Sequence, residues 1–201
     1  MKELDAMPTE ESSELTLEKI QQMKSLEVEI KTDLGQTLEE LKQQTGINFA
    51  PREDGFHLTI IGPAESKVLA TLTEEQLAEL NEINKQILNG EGITIQGIGV
   101  IDGAGEEFKM REVDTVKKTS FVALDIPALQ EFRAKIGLPS RYFHITLGFV
   151  GGDIHTEVIG QEPLKPNSPK MKDITRPIPK VANEKFSSIT LPEIQFGGIS
   201  E

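Results

Sequence analysis

The chain has 201 residues, no cysteine, and 33 acidic against 21 basic side chains, which give a net charge of −12. This length suits a single domain with a substantial core. The lack of cysteine excludes a disulfide scaffold, a thiolate nucleophile and a cysteine-ligated zinc site. A chain this acidic is also a poor match for long nucleic-acid duplexes, whose binding depends on many Lys and Arg contacts to phosphate, although a small nucleotide or one RNA end remains compatible with its charge.

No run in the sequence approaches the roughly 20 apolar residues needed to cross a membrane, and residues 1–5 lack the pattern of a signal peptide. We therefore expect a cytoplasmic protein without a membrane partner. Residues 1–15 are acidic and polar and are expected to form a flexible arm. Residues 16–160 are expected to form the folded domain, and the Pro-containing residues 161–201 to pack on it or cover it.

In the first half of the chain, apolar periodicity predicts two strands that alternate with two helices, after a helical turn or two that begins near Leu17. A capping box formed by Thr73 and Gln76 marks the start of the longer helix. Gly46 and Gly90 mark the two helix ends. The four predicted elements are strand 26–31, helix 33–44, strand 56–62 and helix 74–89.

The second half of the chain repeats this mixture. Pro127 suits the first turn of a helix and Gly137 suits its end. A turn at residues 102–105 separates two strand-like segments. The predicted elements are strands 93–101, 108–113 and 116–126, helix 127–136, strand 143–150 and a final edge strand at 186–191.

Two of these strands carry the same motif, Phe56-His57-Leu58-Thr59 and Phe143-His144-Ile145-Thr146. Successive side chains of a strand point to opposite faces. Phe143, Ile145, Leu147 and Phe149 are therefore expected on one face, with the polar or small residues on the other. Each histidine then has a threonine beside it on the polar face, which suggests a site built from two imidazoles.

The surroundings of the two motifs also repeat. Each follows a unit of strand, helix and loop, and the two units differ mainly in loop length. This repeat predicts an α+β protein of two pseudo-symmetric lobes. We expect two antiparallel β-sheets that face a central cleft, with the helices packed on the outside.

The doubled motif resembles the one that defines the two-histidine (2H) phosphoesterase superfamily, which includes RNA-ligase-like proteins and cyclic phosphodiesterases. The matching segments are His57-Leu58-Thr59-Ile60 and His144-Ile145-Thr146-Leu147, and the similarity covers about residues 26–150. The resemblance implies hydrolysis of a 2′,3′-cyclic phosphate or of a related 2′-5′-linked nucleotide or RNA end. It also favours His144 as the base and His57 as the acid.

The chemistry of the residues agrees with this resemblance. Opening a cyclic phosphate requires a base that takes a proton from water and an acid that protonates the leaving ribose oxygen. Two imidazoles serve both needs near neutral pH, with no metal or other cofactor. Thr59 and Thr146 are expected to donate hydrogen bonds to the non-bridging oxygens of the phosphate. We expect the protein to act as a monomer on a small nucleotide or an RNA terminus.

Three further residues are candidate contacts to substrate. Tyr142, Phe149 and His155 have rings that would stack on a base or touch phosphate, although packing explains the two strand aromatics and a surface loop explains His155 more simply. Arg141 is a candidate for steering an anionic substrate. We include Tyr142 and His155 with the two threonines as predicted substrate-binding residues.

Two alternatives to metal-free catalysis remain open from the sequence. Three histidines and Asp153 are a chemically reasonable zinc or iron set, although His57, His144 and His155 lack the spacing of common metal motifs. The second alternative is a nucleotide-binding module that kept the fold and lost catalysis. Metal dependence and turnover of a cyclic nucleotide distinguish these alternatives.

Overall fold

The computed structural model describes residues 15–104, 115–154 and 184–200. Helices and strands alternate in it, so the predicted α+β class is confirmed. The α-helices are α1 (Leu17–Gln22), α2 (Gly35–Thr45), α3 (Glu74–Leu88) and α4 (Pro127–Lys135). The strands are β1 (Leu26–Ile30), β2 (Ala50–Pro51), β3 (Phe56–Ile61), β4 (Thr94–Asp102), β5 (Lys118–Asp125), β6 (Phe143–Val150) and β7 (Phe196–Ser200).

These seven strands form one antiparallel sheet in the order β4-β5-β6-β3-β1-β7, and β2 pairs with β6 beside this path. The sequence predicted two separate sheets. The described strands instead form one continuous sheet, because β3 and β6 pair where Leu58 lies opposite Ile145. The two repeated units therefore meet at the centre of the sheet, and each contributes one motif strand to the junction.

The two faces of the sheet have different roles. The large core lies on the face that the helices cover, where Leu38, Leu80 and Leu129 pack against strand residues such as Leu58 and Ile145. Burial of these apolar side chains is the main contribution to stability. The opposite face carries a smaller buried cluster of Ile101, Phe121, Ala123, Tyr142 and Ile154.

A β-bulge changes the faces that were predicted for the second half of β6. Thr146 lies opposite Phe121 and Gly148 opposite Ser120, so Leu147 is the extra residue in this strand. An added Cβ at Gly148 would lie 3.2 Å from Leu38 of the helix-covered core and 2.6 Å from the carbonyl oxygen of Ala50. Gly148 thus faces the helices. Phe149 does not share the face of Phe143, because the extra residue reverses the alternation.

The chain ends of the described region differ in detail from the predictions. Leu15, assigned to the flexible arm, is buried, and its backbone N–H and C=O hydrogen-bond the side chain of Asn81 at 2.9 and 3.0 Å. The last strand is β7, which pairs with β1, and not the predicted 186–191. A 3₁₀ helix at Glu184–Phe186 stands there instead, and in the turn that follows the Ile189 N–H donates to the carbonyl oxygen of Phe186 at 3.0 Å, a bond that an extended strand does not make.

Some of the sequence predictions concern residues outside the described ranges. The predicted strand 108–113 lies outside the described residues, as does most of the predicted arm. β4 and β5 pair along their length, with Asp102 opposite Lys118 at the end where the predicted turn begins. Within the described ranges, no helix combines the length and the apolar composition that crossing a membrane requires.

Candidate active site

The two His-x-Thr motifs lie side by side at the centre of the sheet. Leu58 and Ile145, the middle residues of the motifs, are paired partners on antiparallel strands, and both point into the helix-covered core. The residues that flank this pair, His57 and Thr59 on β3 and His144 and Thr146 on β6, consequently belong to the opposite face. In antiparallel pairing the histidine of each motif faces the threonine of the other, and diagonal neighbours are on the order of 7–8 Å apart.

The ring of His144 is held by Phe121 of β5 and by Tyr142, which precedes β6. It stacks on Tyr142 with ring centroids 6.2 Å apart, and Phe121 approaches it edge-on at 5.9 Å. The Nδ1–H donates to the carbonyl oxygen of Tyr142 at 3.0 Å. A carbonyl only accepts hydrogen bonds, so in the neutral ring Nδ1 carries the proton and Nε2 is free of one.

This environment favours the neutral form of His144. Burial, the largest cause, lowers the pKa of His144 to about 4 together with the positive charge of Arg141 and the proximity of His57. The Tyr142 carbonyl and Asp153 act in the opposite direction but are outweighed. At neutral pH this imidazole is thus a proton acceptor.

His57 has a different environment. Its Nε2 lies 3.7 Å from Oε2 of Glu27, and the two side chains are 18% and 25% exposed. Glu27 and Glu29 lie opposite Thr59 and His57 across the β1–β3 ladder, which puts both carboxylates on the histidine face. Both imidazoles are therefore half-buried, but the surroundings of His144 are aromatic and those of His57 are acidic.

The threonines of the motifs have different degrees of burial. Thr146 is 5% exposed, whereas Thr59 is more accessible. Within the described parts of the chain, neither hydroxyl has a hydrogen-bond partner. Neither hydroxyl oxygen is fully shielded from solvent. Both hydroxyls are available to donate to a ligand between the two strands.

An open cavity of about 320 Å³ lies beside His57. Three carboxylates, Glu27, Glu29 and Asp54, share its wall with Phe56, His57 and Ser200. Such a wall repels additional negative charge, so any phosphate in this region depends on cations and hydrogen-bond donors close to it.

Arg52 brings positive charge close to this wall. Its guanidinium donates to both carboxylate oxygens of Asp54, at 2.9 and 2.8 Å, and lies 3.4 Å from Asp153. This hydrogen bonding holds the pKa of Asp54 at about 2. Asp153, which the sequence offered as a metal ligand, accepts from Thr119 at 3.1 Å through its other oxygen. Both of its oxygens therefore have partners.

Tyr142 and His155 were predicted to contact substrate. The ring of Tyr142 is only 3% exposed and lies between Phe121 and His144, so it offers little surface for a nucleotide base. Its packing explains the burial of His144. Burial also raises the pKa of Tyr142 to about 12. His155 lies outside the described residues.

A buried arginine links the two motif strands behind the site. Arg133 of α4 is 1% exposed and donates to the carbonyl oxygens of Ile60 at 2.6 Å and Pro139 at 2.9 and 3.0 Å, and to Glu65 at 2.7 Å. Arg141 also donates to Glu65, at 3.0 Å. The end of β3 and the loop that leads into β6 are thus held through common partners.

Sequence reasoning missed Glu27 and Arg133. The signal for Glu27 was the alternation of charged and apolar residues in β1, which weakened the strand prediction but also puts two acids on one face. Nothing in the sequence indicated that Arg133 is buried. No group of three His, Asp or Glu residues within the described ranges is arranged to hold a metal ion.

Comparison with known proteins adds one match. A family model described as Swiss Army Knife, 2H phosphoesterase domain, matches residues 15–155. No curated protein and no solved structure matches the chain. The matched range includes both His-x-Thr motifs and ends before β7.

Proposed function

This chain belongs to the Swiss Army Knife family of 2H phosphoesterases, which implies a hydrolase of phosphodiester bonds, and from this premise we propose that its substrate is a 2′,3′-cyclic phosphate or a related 2′-5′-linked nucleotide or RNA end. The observation that supports this proposal is the pairing of Leu58 with Ile145, since it brings two His-x-Thr motifs to one face of the sheet. We further propose that the protein acts as a cytoplasmic monomer without a cofactor.

In the proposed reaction His144 is the general base. Its Nδ1–H is engaged by the Tyr142 carbonyl, which leaves Nε2 to accept a proton from water. The water oxygen forms a bond to phosphorus while the bond from phosphorus to the leaving ribose oxygen breaks. The pKa of His144, which is lowered to about 4 chiefly by burial, keeps this base unprotonated at neutral pH.

His57 is the general acid in this proposal. It gives a proton to the ribose oxygen as that oxygen leaves, and the products are a ribose hydroxyl and a phosphate monoester. The proton that His144 gained and the one that His57 lost are then exchanged with solvent. The hydroxyls of Thr59 and Thr146 hydrogen-bond the non-bridging oxygens, where negative charge collects in the transition state.

Turnover of nucleoside 2′,3′-cyclic phosphates by the purified protein tests this proposal. We expect hydrolysis that persists in EDTA. His57→Ala and His144→Ala should each lose about 10²–10⁴ in kcat, because each removes a proton-transfer partner. Thr59→Val and Thr146→Val keep the shape of the side chain but remove one hydrogen bond, so a milder loss of about 10–10³ is expected.

Three outcomes would contradict the proposal. Loss of turnover in EDTA with recovery on adding zinc or manganese would favour the metal-dependent alternative with His57, His144, His155 and Asp153. Tight nucleotide binding without turnover would favour the silent module. Folded histidine variants that retain full activity would remove both histidines from the mechanism.

A further inference from the structure

The charged side of β1 faces the proposed acid. Leu26, Val28 and Ile30 of this strand are buried in the core. Glu27 and Glu29 alternate with them and share the histidine face of the sheet. Two glutamates within one strand lower the β-propensity of that segment. This unfavourable composition suggests that at least one of them has a function.

Of the two, Glu27 has the closer relation to His57. Its Oε2 lies 3.7 Å from the Nε2 atom of His57. Glu29 is turned the other way, since its Oε2 lies 3.0 Å from the Cβ position of Gly197 on β7. One glutamate thus contacts the imidazole, while the other covers the neighbouring strand.

The other charged groups around His57 have partners of their own or are neutral. Asp54 precedes β3 and lines the same cavity, and Arg52 is engaged by Asp54 through two hydrogen bonds. His144, on β6, is neutral at pH 7 because its pKa is about 4. Glu27 is therefore the carboxylate that lies against the imidazole.

We propose that Glu27 is a positioning residue that orients the ring of His57 through the contact between its Oε2 and Nε2. This inference rests on the proposed function, in which His57 is the general acid. Glu27 touches neither phosphorus nor the leaving oxygen in this arrangement. Its effect should therefore appear in kcat, which depends on the alignment of His57, and not in KM.

The expected effect follows from the loss of this orientation. In Glu27→Ala no carboxylate holds the ring of His57, so kcat should fall about tenfold while KM stays near wild type. Glu27→Gln keeps an oxygen near the place of Oε2 and should recover most of this loss.

Glu29→Ala is the matched control, because it removes the same side chain from the same face of the same strand. We expect its kcat to match wild type, and thermal melting should verify that all variants fold. The inference is overturned if kcat of Glu27→Ala does not fall, or if Glu29→Ala lowers it equally. A wild-type protein without turnover would instead contradict the proposed function itself, so the two failures are distinguishable.

Discussion

At the scale of single residues, the environment of His144 predicts an unusual acid limb. Kcat/KM should stay high down to about pH 4, because the base is unprotonated above its lowered pKa of about 4. An ordinary imidazole would give a limb near pH 6.5. Tyr142→Ala removes the ring that stacks on His144 but keeps the backbone carbonyl that accepts from Nδ1. Water then reaches the imidazole, and the acid limb should move upward toward pH 6.5.

A pH series of kcat/KM between 3.5 and 9 would measure the acid limb, at pH values chosen where circular dichroism shows a folded protein. Tyr142→Ala should move this limb, since the ring of Tyr142 stacks on the proposed base. If Tyr142→Ala left the acid limb in place, burial would not be what lowers the pKa of His144.

At the scale of elements, Arg133 connects α4 to the end of β3 and to the loop before β6. Burial by itself would raise the pKa of Glu65, but the hydrogen bonds and charges of Arg133 and Arg141 hold it below its usual range. Arg133→Met would leave the carbonyl of Ile60 and much of Glu65 without partners. Breaking a buried pair in this way is expected to lower the free energy of unfolding by about 3 kcal/mol.

Lys135→Met is the control for this substitution, because Lys135 belongs to the same helix and pairs with Glu79 at the surface at 2.5 Å. Exposed pairs contribute little, so urea unfolding of this variant should resemble that of wild type. Equal midpoints for the two variants would mean that the buried network does not stabilise the junction between the motif strands.

At the scale of the whole molecule, the net charge of −12 and the acidic wall beside His57 predict how activity depends on salt. Repulsion should lower kcat/KM for an oligoribonucleotide that ends in a 2′,3′-cyclic phosphate relative to a mononucleotide with the same end. Added NaCl screens this repulsion over a Debye length of about 10 Å at 0.1 M. We therefore expect kcat/KM for the oligonucleotide to rise with salt, and that for the mononucleotide to rise less.

Steady-state kinetics at 20 and 200 mM NaCl with the two substrates would measure this difference. Rates that fall with salt would indicate that basic side chains dominate the approach of substrate. That result would contradict the charge argument but leave the two-histidine mechanism intact.

The sequence by itself determined most of the elements, namely α2, α3, α4, β1, β3, β4, β5 and β6, and the pair of motifs. Alternation of side chains is a local property, so His57 and Thr59, and His144 and Thr146, could be assigned to polar strand faces without knowing what those strands touch. The capping box at Thr73 and the proline at the start of α4 likewise act within a few residues of themselves, and both helices begin where they were predicted.

Only the tertiary structure decided which strands are neighbours. The pairing of Leu58 with Ile145, the bulge at Leu147 that turns Phe149 to the other face, and the addition of β7 to β1 all depend on contacts between residues far apart in the chain. Such contacts leave no periodic trace in the sequence. The same holds for Glu27. In the sequence it is only a residue with low β-propensity, and its contact with His57 exists because β1 and β3 pair.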